Sequence, residues 1–145
     1  ARGYWRQPEA TRQAFSPEGW FRTGDVGYRD ADGFLYVCDR VKDMIITGGE
    51  NVYPAEVESV LAGHPAIAEV AVVGAPDPRW GEAVVAVLAL KPGQSLELEQ
   101  LQAFASARLA RYKTPRRLHL VQALPRNPTG KILKYQLREA LKVQT

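Results

Sequence analysis

Glu69-Val-Ala-Val-Val-Gly74-Ala-Pro-Asp-Pro-Arg-Trp-Gly81-Glu-Ala-Val-Val-Ala-Val-Leu-Ala-Leu90 is the stretch that sets the architecture. Two Val-rich runs, Glu69 to Val73 and Ala83 to Leu90, have the β-branched composition of strands, and the loop between them is crowded with turn formers. Lys91-Pro92-Gly93 ends the second run. Upstream, Pro54 sits at a helix first-turn position, followed by Glu56 and Glu58, which suit the positive end of the helix dipole. Val57, Val60 and Leu61 form that helix's apolar stripe, and Gly63 and Pro65 stop it. Before it, Met44-Ile45-Ile46 is a short apolar run that ends at Gly48-Gly49. Downstream, a helix is expected from about Leu96 to Ala110, with Leu98, Leu101, Ala105 and Leu109 on one face. Leu118 to Val121 reads as a third strand, and Leu133, Leu137 and Leu141 recur every four residues in a closing amphipathic helix.

Residues 1 to about 33 differ in kind: rich in Gly, Pro, Trp and Arg, poor in helix and core residues. Asp30-Ala31-Asp32-Gly33 is a hairpin signal, flanked by candidate strands Val26–Arg29 and Phe34–Val37. Such a segment is not expected to fold alone, and the chain, opening on Ala1, is expected to be a piece of a longer protein. The net charge is +3, from 19 basic and 16 acidic residues, and the charges are interspersed. Arg108 to Arg117 is the densest basic stretch; a solvated face, or a small site for one phosphorylated ligand, fits it better than nucleic acid, which needs a broad basic face. The single cysteine, Cys38, reads as a small buried strand residue in a reduced compartment. No secretory signal or membrane-spanning run is present, and a cytoplasmic location is expected.

Three motifs carry chemistry. In Gly19-Trp-Phe-Arg-Thr-Gly24-Asp25, a carboxylate behind a tight turn can accept two hydrogen bonds at once, as from vicinal hydroxyls. In Asp39-Arg40-Val-Lys42-Asp-Met-Ile-Ile-Thr-Gly48-Gly49-Glu-Asn51, a charged cluster leads through an apolar strand to a glycine pair that lets the backbone approach a ligand closely. In Leu124-Pro-Arg-Asn-Pro-Thr-Gly-Lys131-Ile132, two prolines and a glycine stiffen a loop that presents one lysine. This is not a P-loop, because Pro125 stands where the first glycine is required and Ile132 where Ser or Thr should follow the lysine. Singly, the first motif reads more readily as a common turn and the third as an exposed loop lysine, and the second reads equally as a glycine corner.

Together, in this order and spacing, the three blocks resemble the closing motifs of the adenylate-forming superfamily of acyl-CoA synthetases, luciferases and peptide-synthetase adenylation domains. The resemblance runs from Gly3-Tyr4-Trp5 to the last helix. It implies an α+β fold: a small C-terminal domain with a three-stranded sheet packed by helices and a short two-stranded hairpin, preceded by a β-rich tail of a large domain. Residues 1–41 would be the end of the large nucleotide-binding domain and residues 42–145 the mobile C-terminal domain. Asp25 would hold ribose hydroxyls, Arg40 would contact the nucleotide, and Lys42 would be the hinge, where many relatives carry Asp. Lys131 would bridge the substrate carboxylate and the α-phosphate.

Gly48 and Gly49 would line the path of the CoA thiol, and Trp80 and Tyr112 match positions that pack on CoA in some relatives. Trp80 reads equally as a loop aromatic covering the sheet; Arg79 and Arg111-Tyr112-Lys113 are candidates for CoA phosphates on charge alone. Gly48-Gly49-Glu50-Asn51-Val52-Tyr53-Pro54 resembles fatty-acyl and aryl acyl-CoA ligases rather than peptide synthetases, whose corresponding segment is Gly-Tyr-Arg and an acidic residue. The implied substrates and partners are ATP, CoA, a fatty or aryl carboxylic acid and the protein's own N-terminal domain, with room for a homodimer. Magnesium would be held by that upstream domain, so no metal ligands are assigned here, and the isolated chain is expected to be inactive. Two rival classes stand beside this one: an acyl-AMP ligase that loads a carrier protein, and a stand-alone module binding CoA or a partner.

Overall fold

The computed structural model describes residues 3–142; the first two and last three residues of the expected domains lie outside the described residues. The chain divides into two compact units, one ending at Lys42 and one beginning at Asp43. The first unit holds α1 (Pro8–Ala14), β1 (Asp25–Arg29) and β2 (Leu35–Arg40). Helix α1 departs from the expected lack of helix: Pro8 opens it and Glu9 lies in its first turn, although none of its residues is buried. Strands β1 and β2 pair antiparallel across the Asp30–Gly33 turn, as the turn chemistry predicts. Cys38, expected to be buried, is only half-buried, because no core covers either face of this hairpin within its own unit.

The second unit is built on β5 (Ile67–Asp77) and β6 (Gly81–Leu90), which pair antiparallel along almost their whole length. Side chains alternate across a strand. Val84, Ala86 and Leu88 of β6 therefore enter one core, with Val57 and Leu61 of α2 (Pro54–Leu61) and Leu101 and Ala105 of α3 (Leu98–Ser106). Val85 and Val87 enter a second core on the opposite face, with Leu124 and with Leu137 of α4 (Lys134–Lys142). Burial on both faces explains why Ala83 to Ala89 is an unbroken apolar run rather than an alternating one.

The sheet has five strands, since the expected three-stranded sheet and a hairpin of β3 (Ile45–Thr47) and β4 (Glu50–Val52) are continuous. The join is one pairing, Thr47 with Gly81, reinforced by the Ile46 N–H donating to Glu82 Oε2 at 2.8 Å. Strand β7 (Arg117–Leu120) runs parallel to β6. Helix α3 is shorter than the apolar period suggests; Leu109 lies beyond its end but is still buried. No helix among the described residues is long and apolar enough to cross a membrane.

Candidate functional site

Lys131 is presented by a miniature hairpin. Buried Leu124 anchors its entry, and Arg126 and Ile132 pair as an isolated antiparallel bridge. The Asn127 N–H donates to the Lys131 carbonyl at 2.9 Å, and the Leu133 N–H to the Pro125 carbonyl at 2.8 Å. The turn is closed by Asn127, whose Oδ1 accepts from the Thr129 N–H (3.1 Å), the Thr129 hydroxyl (2.7 Å) and the Lys131 N–H (2.8 Å). Asparagine supplies such side-chain-to-backbone bonds where a turn leaves donors unmatched. Gly130 takes φ +84°, which a residue with a Cβ rarely adopts. The backbone is thereby fixed while the Lys131 side chain is exposed and forms no ion pair among the described residues. The sequence pointed to the prolines and the glycine of this loop; Asn127, which closes it, is a polar residue among turn formers and went unmarked.

A second residue missed by the sequence reading is Glu69, on β5. Its carboxylate accepts from Arg126 Nη2 at 2.5 Å and from the Leu124 N–H at 3.3 Å. The Arg126 guanidinium, and then the Leu124 amide, hold the Glu69 carboxyl below its usual 4.5. A carboxyl whose pKa is lower folded than unfolded stabilises the fold above the unfolded value and loses that contribution as pH falls through the folded one. Glu69→Gln is therefore expected to be less stable than the parent chain at pH 7, by less than about 1 kcal/mol for so exposed a pair. The gap should close as the pH is taken below 4.5 in urea-unfolding titrations. A gap of unchanged size at pH 3 would show that the carboxylate is not its source.

Gly48 and Gly49 form the turn of the β3–β4 hairpin, with φ +59° and +84°, the two positive values of a type I′ two-residue turn. The Gly48 N–H donates to the Trp80 carbonyl at 2.8 Å, and a Cβ on Gly48 would lie 3.0 Å from the Trp80 ring. A Cβ on Gly49 would meet nothing within 4 Å. Half-buried Trp80 is held from behind by Asp77, whose Oδ1 accepts from the Arg79 and Trp80 amides at 3.0 and 3.1 Å. Those amides, together with Arg117, keep the Asp77 carboxyl below its usual range. Two guanidinium groups lie against the indole, Arg116 at 4.1 Å and Arg79 at 4.9 Å from the ring centroid.

Arg116 Nε and Thr114 Oγ1 are buried with no hydrogen-bond partner among the described residues. With Gln102, Ser106 and Arg111 these residues line a polar pocket of about 330 Å³. Arg116 was not singled out by sequence, because its place against Trp80 depends on the β6–β7 register. One charge-based expectation is corrected: Lys113 does not stand free for a phosphate. Its ammonium bonds both oxygens of Glu56, at 2.7 and 2.8 Å, and that pairing raises its pKa. Tyr112, in the same short 3-10 turn, packs against the core shared with α2 and α3.

In the first unit, the β1–β2 register sets Asp25 opposite Arg40, and Arg40 Nε lies 3.3 Å from Asp25 Oδ1. Gly24, at φ +76°, makes the corner, and the Asp25 N–H donates to Thr23 Oγ1 at 3.1 Å. Lys42 is exposed, in a 3-10 turn (Val41–Asp43) at the division between the units. Thus Asp25 and Arg40 are neighbours, as are Gly48 and Trp80, whereas Lys131 and the glycine turn are tied to different ends of β5. No group of three or more His, Cys, Asp or Glu among the described residues could hold a metal ion.

The chain is 56% identical over 136 residues to the long-chain-fatty-acid–CoA ligase FadD13 of Mycobacterium tuberculosis (strain ATCC 25618 / H37Rv), covering 94% of this chain and 27% of that protein. It is 49% identical over 136 residues to the fatty acid–[acyl-carrier-protein] ligase ScoC of Streptomyces coeruleorubidus, covering 94% of this chain and 26% of that protein. The fold matches the crystal structure of ATP-bound MatB from Rhodopseudomonas palustris with a TM-score of 0.90 at 41% identity, over 97% of this chain and 28% of that one. The chain thus spans about a quarter of the length of these relatives. Residues 56–131, more than half of the chain, match the AMP-binding enzyme C-terminal domain, and the chain belongs to that family of adenylate-forming enzymes.

Proposed function

We propose that this chain is the C-terminal part of an AMP-forming acid–thiol ligase that activates a carboxylic acid with ATP and transfers the acyl group to CoA. The observation that carries this reading is the separation of two chemically different surfaces along one strand. The Lys131 hairpin is tied to β5 at Glu69, and the Gly48–Trp80 corner is tied to it at Asp77, eight residues further on. At about 3.3 Å per residue those anchor points lie roughly 26 Å apart. Surfaces anchored so far apart suit a reaction of two steps and a unit that turns between them. Lys42, at the division between the units, is the proposed hinge.

In the first step a carboxylate oxygen bonds to the α-phosphorus of ATP and the bond to pyrophosphate breaks. Two anions must meet, so a cation on a fixed loop belongs there, and Lys131 supplies it. Asp25 and Arg40 would hold the ribose and the nucleotide. In the second step the CoA thiol loses its proton and its sulfur bonds to the acyl carbon, and AMP leaves with the electrons of the acyl–oxygen bond. The open space over Gly49 would admit the thiol, with Trp80 and Tyr112 as packing surfaces for CoA. The pocket of Arg111, Thr114 and Arg116, whose buried Nε and hydroxyl have no partner among the described residues, would suit a phosphate. Magnesium would be held by the upstream domain; among the described residues no group of three or more His, Cys, Asp or Glu could hold a metal ion.

ScoC, a carrier-protein ligase 49% identical to this chain, supports a second reading in which the acceptor is a phosphopantetheinylated carrier protein. One experiment separates the two and tests the first. The full-length protein is expected to release pyrophosphate with at least one member of a panel of fatty and aryl acids, and then to acylate CoA. Acylation of the carrier protein alone would establish the second reading, and no pyrophosphate release across the panel would sink both.

A further inference from the structure

The miniature hairpin closes its own hydrogen bonds, which set its shape but not its aim. Its aim is set where it joins the domain. Leu124 and Ile132 supply an apolar contact with the second core, which resists separation but not rotation. The directional tether is Arg126. One guanidinium nitrogen, Nη2, reaches the Glu69 carboxylate, and the other, Nη1, donates to the Gly130 carbonyl at 2.8 Å. A planar guanidinium holds the angle between two such bonds, which an ammonium could not do. Glu69 belongs to β5, and its register opposite Ala89 is fixed by the pairing with β6. The same carboxylate accepts from the Leu124 amide at the start of the loop. A continuous polar path therefore leads from the sheet through Glu69 and Arg126 to the peptide that precedes Lys131.

We propose that Glu69 is a positioning residue for acyl-adenylate formation: by holding Arg126 against Gly130 it aims the Lys131 side chain. This rests on the reading of Lys131 given above. Glu69 touches no reacting atom; its effect passes through the backbone of Gly130. The Gln variant keeps the size of the side chain and one acceptor oxygen, so the effect should fall short of the roughly 100-fold that an ångström of misplacement costs.

The test uses the full-length enzyme carrying Glu69→Gln, Lys131→Ala or both, with the two half-reactions measured separately. Glu69→Gln should lower kcat for pyrophosphate release about tenfold, leave KM for ATP and acid unchanged, and leave thioester formation from supplied acyl adenylate at the parent rate. In the Lys131→Ala background it should cost nothing further, since there is no ammonium left to aim. Equal loss of both half-reactions would show a merely structural role and overturn the proposal. So would a full additional loss on top of Lys131→Ala. If Lys131→Ala is inactive in adenylation while Glu69→Gln matches the parent, the proposal for Glu69 fails alone. If Lys131→Ala itself adenylates normally, the reading of Lys131 fails and takes the proposal with it.

Discussion

Lys131→Ala in the full-length enzyme is expected to slow acyl-adenylate formation by about 100- to 1000-fold, the loss seen when one donor to a developing anion is removed. Thioester formation from supplied acyl adenylate should proceed at the parent rate. The split follows from the location of the side chain. Lys131 is exposed and forms no ion pair among the described residues, so its removal takes no contact from either core. The hairpin that carries it is closed by backbone bonds and by Asn127, none of which uses the lysine ammonium. The variant should therefore unfold in urea at the same midpoint as the parent, which makes the rate loss attributable to the charge. Lys131→Arg is expected to recover only part of the rate, because a forked guanidinium does not reproduce a compact ammonium at a site built for a point charge. Equal loss of both half-reactions would mean that Lys131 serves the fold.

Much of the frame on which this rests can be read from the sequence, and the limits have identifiable causes. The Val-rich strands, the helix opened by Pro54 and the turn at Asp30–Gly33 are local signals, set by residues within a few positions of one another. The Lys131 loop is legible for the same reason, since Pro125, Pro128 and Gly130 lie within six residues of the lysine. What escapes is long-range. Glu69 and Arg126 are 57 residues apart, and nothing near either one announces the other. The β3–β4 hairpin joins the main sheet through one pairing, Thr47 with Gly81, which depends on the fold rather than on composition. Helix α1, seven residues long with none buried, has no apolar stripe to betray it. Charge alone misled at Lys113: a basic residue in a basic stretch looks available until Glu56, from a different element, is found holding it. The Lys131 loop and the glycine pair are legible as motifs, but their anchorage near opposite ends of one strand is visible only because β5 runs unbroken from Ile67 to Asp77.

That separation predicts the opposite split at the other end. Gly49→Leu is expected to slow thioester formation from supplied acyl adenylate by at least about 100-fold, as for an acceptor held an ångström out of place, and to leave pyrophosphate release unchanged. Gly49 is the informative position of the pair. A side chain at Gly48 would collide with the Trp80 ring 3.0 Å away, so any loss there would mix obstruction with disruption of the Trp80 corner. At Gly49 the space is open, and the cost to the fold is confined to the left-handed backbone at φ +84°, about 1–2 kcal/mol for a residue with a Cβ. Gly49→Ala carries the same backbone cost with far less bulk, and so separates strain from obstruction. If the space over Gly49 is the path of the thiol, transfer should fall modestly in the Ala variant and steeply in the Leu variant, while both unfold at similar urea concentrations. Equal losses in the two would trace the effect to the turn itself. An undiminished transfer rate in Gly49→Leu would remove this turn from the thiol's path and leave Trp80 with its plain role as a cover for the end of the sheet.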